Sequence, residues 1–341
     1  MKKILPVAVL AAMAGVNGAQ AVHVNSDGLG QVLLFPYYTT TDGQNTLINL
    51  ANTTADYKAV KVRILESLNS REVLDFNLYL SPFDHWSATI LADPNGEGGA
   101  IVTGDTSCTV PNALSDQGLQ EPSERTPIPF RNFVYLADGD TKNGLDRTSE
   151  GYVEVIEMAT IVIGTEDWPA DIKHVAGVPG DCADLDASWS SGGVWAADQD
   201  DGTDLPSGGL YGYGVLIDVA KGTDATYDAV ALDNFLVDFP VHTAPQTLDP
   251  SLASSNVNFD VISGNEVISG SGTRSGTLAN LDAVSATIIQ DTITNDYVLE
   301  SDLNAGTDWV VTFPTKRDYV NDASGVALAP FTEVWDPVTS S

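Results

Sequence analysis

Between Gln31 and Leu91 apolar and polar positions alternate in short runs broken by turn residues, the period of two that marks half-buried strands. Val32 to Tyr38 is apolar and aromatic, Asp42-Gly43 marks a turn, and Thr46 to Asn52 alternates, so a hairpin of two strands is expected. In Ala59 to Leu65, Val60, Val62 and Ile64 fall on one face and Lys61 and Arg63 on the other, which predicts that the charges face water. A turn at Ser67-Leu68-Asn69-Ser70 leads into Val73 to Leu80, and after Ser81-Pro82-Phe83-Asp84 the pattern resumes from Trp86 to Leu91. Turns this short predict an antiparallel meander.

Asp93 to Pro129 is rich in Gly and Pro and reads as a long irregular stretch. Phe130 to Leu136 and Gly151 to Ile163 return as strands around a polar tip, Asp138 to Glu150. Asp181 can cap a short helix to Ser190, because Leu185 and Trp189 stand four apart. Gly192 to Gly209 reads as a loop and Leu210 to Val219 as a strand. Apolar residues at three and four spacings from Val284 to Tyr297 predict a helix over Leu281 to Leu299, although the many Thr and Ile residues there also suit a strand. Asp308 to Phe313 reads as a last strand. The fold class expected is mainly β: an antiparallel β-sandwich of the Ig-like or jelly-roll-like kind, with long loops and one or two short helices. One domain over 22–341 is expected, with a boundary near 104–130 as the alternative.

The first 21 residues stand apart. Lys2 and Lys3 precede an apolar run from Ile4 to Val16 and a small-x-small exit, Ala19-Gln20-Ala21, the arrangement of a Sec-type signal peptide. An exported chain is expected, extracellular, at the cell surface or periplasmic. No later apolar run is long enough to cross a membrane as a helix. Cys108 and Cys182 are the only cysteines. Export favours one disulfide between them, closing a loop of about 75 residues and worth roughly 4 kcal/mol in the chain-entropy model. Two buried thiols are the alternative, and metal ligation lacks a C-x-x-C pair.

Charge narrows the partners. The 341 residues carry 15 Lys+Arg against 47 Asp+Glu, a net −32, and 35 of the acids are Asp. Such a chain has no surface for displacing counterions from nucleic acid, and anionic lipid repels it. Its 43 % hydrophobic content still suffices for a large core.

Candidate chemistry is sparse. Asp138, Asp140, Asn143 and Asp146, and then Asp198, Asp200, Asp201 and Asp204, place oxygen ligands at close spacing in Gly-bearing loops, as calcium requires, though neither run has EF-hand spacing. A solvated acidic loop is the plainer reading of both. The four His are scattered, Gly272 to Gly276 lacks the spacing of a nucleophile elbow, and carboxylate pairs are too common here to signal a glycosidase. Trp189, Trp195, Tyr211 and Tyr213 could form a sugar platform, but packing in the core and loop bases is the simpler role.

Gly30-Gln31-Val32-Leu33-Leu34-Phe35-Pro36-Tyr37-Tyr38-Thr39, Ala59-Val60-Lys61-Val62-Arg63 with the stretch Leu68 to Pro82, Gly151 to Met158, and Asp308-Trp309-Val310-Val311-Thr312-Phe313-Pro314-Thr315-Lys316 resemble a family of uncharacterised secreted or cell-surface proteins of Gram-negative bacteria. That resemblance implies a β-rich surface protein, carries over no catalytic residue, supports a Cys108–Cys182 bridge, and implies a further part beyond Trp335. The expected function is therefore non-enzymatic and structural: a fibre or surface-layer subunit or an adhesin, partnered by its own copies or other surface components. Val32, Leu33, Leu34, Phe35, Tyr37 and Tyr38 are the expected strand for addition to a neighbour's sheet. A carbohydrate- or calcium-binding module is the alternative, and a carbohydrate-active enzyme the third reading.

Overall fold

The computed structural model describes residues 20–263, 266–290, 294, 308–320, 327, 328, 331, 334 and 336. Nearly all of the expected leader, the second half of the expected 281–299 helix and the neighbourhood of Trp335 lie outside these residues. The protein is mainly antiparallel β. One open sheet runs β1 (His23–Val24), β14 (Val230–Asp233), β2 (Val32–Thr39), β10 (Glu150–Ile161), β4 (Tyr57–Glu66), β5 (Glu72–Leu80) and β8 (Thr109–Val110), with β11 (Thr203–Asp204) on the end of β10. The other runs β13 (Thr223–Asp228), β12 (Leu210–Asp218), β3 (Asn45–Asn52), β6 (His85–Ala92), β7 (Gly99–Thr103) and β9 (Ile128–Pro129). A hairpin, β15 (Asn258–Ser263) with β16 (Glu266–Ser271), forms a separate two-stranded sheet tied to the rest through hydrogen bonds between β15 and Val22.

The alternation seen in the sequence builds the space between the sheets. Leu33, Phe35, Val60, Val62, Ile64, Phe76 and Leu78 of the large sheet meet Ile48, Leu50, Trp86, Ala88, Ile90 and Ile101 of the small one in a single buried cluster. Each of the Val, Leu, Ile and Phe side chains contributes about 1.5–3 kcal/mol by leaving water. The strands themselves fall close to where the pattern put them, but their connections differ. The chain steps from β2 to β3 across the sandwich instead of folding back as a hairpin, and it crosses again from β3 to β4 and from β5 to β6. A short loop fits both routes; pairing β3 with β12 and β6 lets Ile48 and Leu50 face β2 instead of lying beside it. The meander survives only in neighbours such as β4–β5 and β6–β7.

The expected exchange strand is also placed differently. β2 lies inside the large sheet, hydrogen-bonded to β14 on one side and β10 on the other, so it has no free edge to offer. Residues 104–130 connect the two sheets, with β8 in one, β9 in the other and a short helix, α1 (Ser115–Gly118), between them. Pro127 and Pro129 cannot donate to a ladder, and the chain leaves the sheet there, forming α2 (Phe133–Ala137) where a strand over 130–136 was expected. The helix predicted at 181–190 is α4 (Cys182–Ser188), with the Asp181 carboxylate capping Ala183 and Asp184 N–H. The later helix, α6 (Thr277–Ile288), begins before Leu281, and its chain turns extended at β-branched Ile289. Residues 308–313 pair with no strand, leaving Trp309, Val310, Val311 and Phe313 about half exposed.

The outer face of the large sheet holds the main surprise. Lys61 is fully buried and Arg63 nearly so. Three coverings remove that face from water. Phe235, Leu252, Leu281 and Val284 pack on Val32, Leu34 and Ile156. Trp168, Ile172, Leu185 and Trp195, from α3 (Trp168–Ile172), α4 and α5 (Val194–Ala197), pack on Ala59, Tyr79 and Met158. The segment around Thr243 and Ala244 crosses the remainder, their carbonyls accepting from Asn77 Nδ2 and Lys61 Nζ, both at 2.8 Å. The Cys108–Cys182 disulfide, Cα to Cα 5.1 Å, ties α4 beside β8.

Candidate functional site

Charges buried on a sheet face need partners on adjoining strands, and here they have them. Arg63 stands opposite Asp75 on β5 and Glu154 on β10; its Nε reaches Glu72 at 2.8 Å and its Nη1 reaches Glu154 at 2.5 Å. Lys61 Nζ lies 3.2 Å from Asp75. At the end of β4, Glu66 accepts from Arg147 Nε at 2.7 Å, and Arg147 Nη1 reaches Asp140 at 2.8 Å. Burial pushes the Glu72 and Glu154 carboxyls up, and Arg63 opposes it in each case.

Where this stripe meets α7 (Arg317–Val320), a pocket of about 200 Å³ opens. Its charged walls among the described residues include Arg63, Arg71, Glu72, Glu154, Arg317 and Asp318, and Leu65, Tyr152 and Leu281 add apolar surface. Arg71 is 8 % exposed; its Nη2 pairs with Asp138, while its Nε is buried without a hydrogen-bond partner. The Arg317 Nε is orphaned in the same way. Burial, with the like charge of Arg71, lowers the Arg317 pKa, and burial raises that of Asp318. Both Nε atoms are closed off from water by their surroundings, so each is a cost that the fold carries and not a contact offered to the pocket's opening.

In the acidic loops considered for calcium, most carboxylates have other partners. Asp138 and Asp140 bind Arg71 and Arg147, the Asn143 carbonyl accepts from Asn132 Nδ2, and Asp146 sits in the turn Leu145–Ser149. Asp198 accepts from the Asp200 N–H, and Asp204 from the Leu205 N–H. Asp201 accepts from Thr165 and from Trp168 Nε1, tying its loop to α3. Among the described residues no three His, Cys, Asp or Glu side chains form a group suited to a metal ion.

The aromatic residues divide. Trp195 is fully buried, stacked on Tyr79 with ring centres 5.4 Å apart and tilted against Trp168 at 4.2 Å. His242 closes this cluster: its Nδ1–H donates to the Gln199 carbonyl at 2.8 Å, and its Nε2 accepts from the Tyr79 hydroxyl at 3.0 Å. That pairing fits the neutral ring, and burial drives its pKa down to about 4. Tyr211 and Tyr213, by contrast, are half-buried neighbours on β12 with ring centres 6.2 Å apart.

Ser81, His174 and Asp84 also meet, with a geometry opposite to that of a nucleophile relay. One nitrogen, His174 Nδ1, faces both the serine (2.7 Å) and the aspartate (3.5 Å), while Ser81 Oγ donates to the Ile172 carbonyl. A relay needs the two contacts on different ring nitrogens.

Arg71 and Arg317 had no place among the residues singled out from the sequence. The signal available was their rarity, since a cation in so acidic a chain must compete for few positions. No protein-family model matches the chain, and neither the curated proteins nor the solved structures contain a match to it.

Proposed function

We propose that the chain is an exported, non-enzymatic structural component of the cell surface that associates with its own copies. The observation that carries this reading is the β15–β16 hairpin. Ile262, Val267 and Ile268 are each more than half exposed there, at 56 %, 59 % and 57 %. Their strands bear only Asp260 and Glu266 as charges, in a chain whose excess of acid would otherwise keep copies apart. An apolar strand pair of low charge invites edge-to-edge pairing with its like, and β16 takes the role first expected of β2. The leader pattern and the resemblance of Leu68 to Pro82 to secreted surface proteins support the cellular setting.

Sedimentation of the leaderless chain at rising concentration tests the reading, with Ile268→Asp alongside. Association in the parent and its loss in the variant are expected; a parent that stays monomeric at every soluble concentration refutes it. The half-exposed Tyr211–Tyr213 pair favours a second reading, carbohydrate binding, which a tyrosine fluorescence titration against a glycan panel would reveal.

A further inference from the structure

We propose that the Ala21–Val22 peptide bond is a proteolytic processing site that only the unfolded chain presents. The amino group released by its hydrolysis is then held in the seam between the large sheet and the β15–β16 hairpin. Both statements rest on the export reading, in which Ala19-Gln20-Ala21 ends the leader. In the folded chain the groups that a peptidase must grasp at this bond are already engaged. Val22 is fully buried and Ala21 is 6 % exposed. The Ala21 carbonyl, the one that water attacks, lies 3.1 Å from His23 Nδ1. The Val22 N–H donates to the Asn258 carbonyl, and the Val22 carbonyl accepts from the Asp260 N–H, both at 2.9 Å. The next two residues, His23 and Val24, pair with β14. A peptidase that takes its substrate as an added strand needs these main-chain groups free.

Hydrolysis consumes one water. The C–N bond breaks, the Ala21 carbonyl carbon keeps the water oxygen as a carboxylate, and Val22 keeps the nitrogen as an ammonium group. The Val22 side chain packs with Val32, Leu34, Ile156 and Leu232, and Phe259 of β15 lies against the same cluster. The new terminus therefore has its side chain in the core and its nitrogen on β15. Departure of the leader also frees Asn256 Nδ2 from the Gln20 carbonyl. The order of events follows: cleavage precedes closure of the seam, and a chain that closes first keeps its leader.

The full 341-residue chain is presented to a bacterial leader peptidase in detergent, either refolded beforehand or diluted directly from urea. Cleavage between Ala21 and Val22, read by N-terminal sequencing, is expected on direct dilution and at least about tenfold more slowly after refolding. The chain exported by a Sec-competent bacterium is then treated with an amine-reactive reagent at neutral pH, with and without urea. Mass spectrometry is expected to show the Val22 amine reacting at least about tenfold more slowly in the native chain. Equal cleavage of the two precursor forms, equal labelling with and without urea, or an exported chain cut at another bond would overturn the proposal. An exported chain that keeps its leader would remove the leader reading and the proposal together. A chain that begins at Val22 but whose native amine reacts freely removes the proposal alone.

Discussion

Lys58 and Glu157 meet at 2.7 Å with both side chains fully out of water, and the carboxylate also accepts from the Ser207 and Gly208 N–H groups. A pair of this kind contributes less than it costs to break, because the survivor of a single substitution is a buried charge without a partner. Lys58→Met at pH 8 is therefore expected to cost about 3–5 kcal/mol, and Lys58→Met with Glu157→Leu clearly less. Urea titration reads both; a double variant as unstable as the single one would refute the account. Burial pushes the Glu157 carboxyl up to about 7 from 4.5, against the pull of Lys58, whereas His242 is driven down to about 4 from 6.5. The raised group stabilises the fold below pH 4.5 and loses that contribution as pH rises through 7. The lowered group does the opposite, contributing above pH 6.5 and losing its share as pH falls through 4. Each is worth about 3 kcal/mol, and they oppose one another between pH 4.5 and 6.5. Glu157→Gln should therefore show stability rising with pH across that window, and His242→Phe stability falling; parallel profiles for the two variants would refute both assignments.

At the scale of elements, the small helix group rests on few ties. Reducing the Cys108–Cys182 bond releases α4 from β8, and a loss of roughly 4 kcal/mol is expected in urea titrations with and without reductant. Unchanged midpoints would show that the Trp168–Trp195 packing holds these helices alone. Gly151 marks another constraint, where β10 bulges against β2: a Cβ there would stand 1.9 Å from the Leu65 carbonyl oxygen. Gly151→Ala is expected to cost about 1–3 kcal/mol, read from the same titration; tolerance without loss would mean the ladder can shift. The strands were legible because β4 and β5 alternate cleanly, and α4 because Asp181 announces its start. What covers a sheet was not legible. Lys61 and Arg63 alternate with valines as a solvated face would, and Glu154, the partner of Arg63, lies on a strand far along the chain. The step from β2 to β3 was hidden for a related reason: the loop between them is short enough for a hairpin, and only the distant β10 and β14 claim both edges of β2. The pocket joins Arg71 to Arg317 from opposite ends of the sequence, a meeting no local pattern records.

At the scale of the whole molecule, the interior holds, among the described residues, seven buried acids and five buried Lys or Arg, and so is close to neutral. The described residues outside that interior are consequently strongly acidic. Added salt should screen that self-repulsion while leaving the buried pairs almost untouched, so the urea midpoint is expected to rise from low to moderate NaCl. A falling midpoint would mean that exposed ion pairs dominate. Association through β15–β16 should strengthen over the same range, since copies approach against like charge.

The central position of β2 carries a consequence for how the chain reaches this fold. β2 stands near the start of the chain, yet its two ladder partners begin at Glu150 and Val230. Whether the chain emerges from a ribosome or a translocation pore, Val32 to Tyr38 waits uncovered until most of the remainder has followed. Pairings so distant in sequence form slowly, and an apolar segment that waits is open to capture. The strand most secure in the finished protein is thus the one most in need of a chaperone while it is being made.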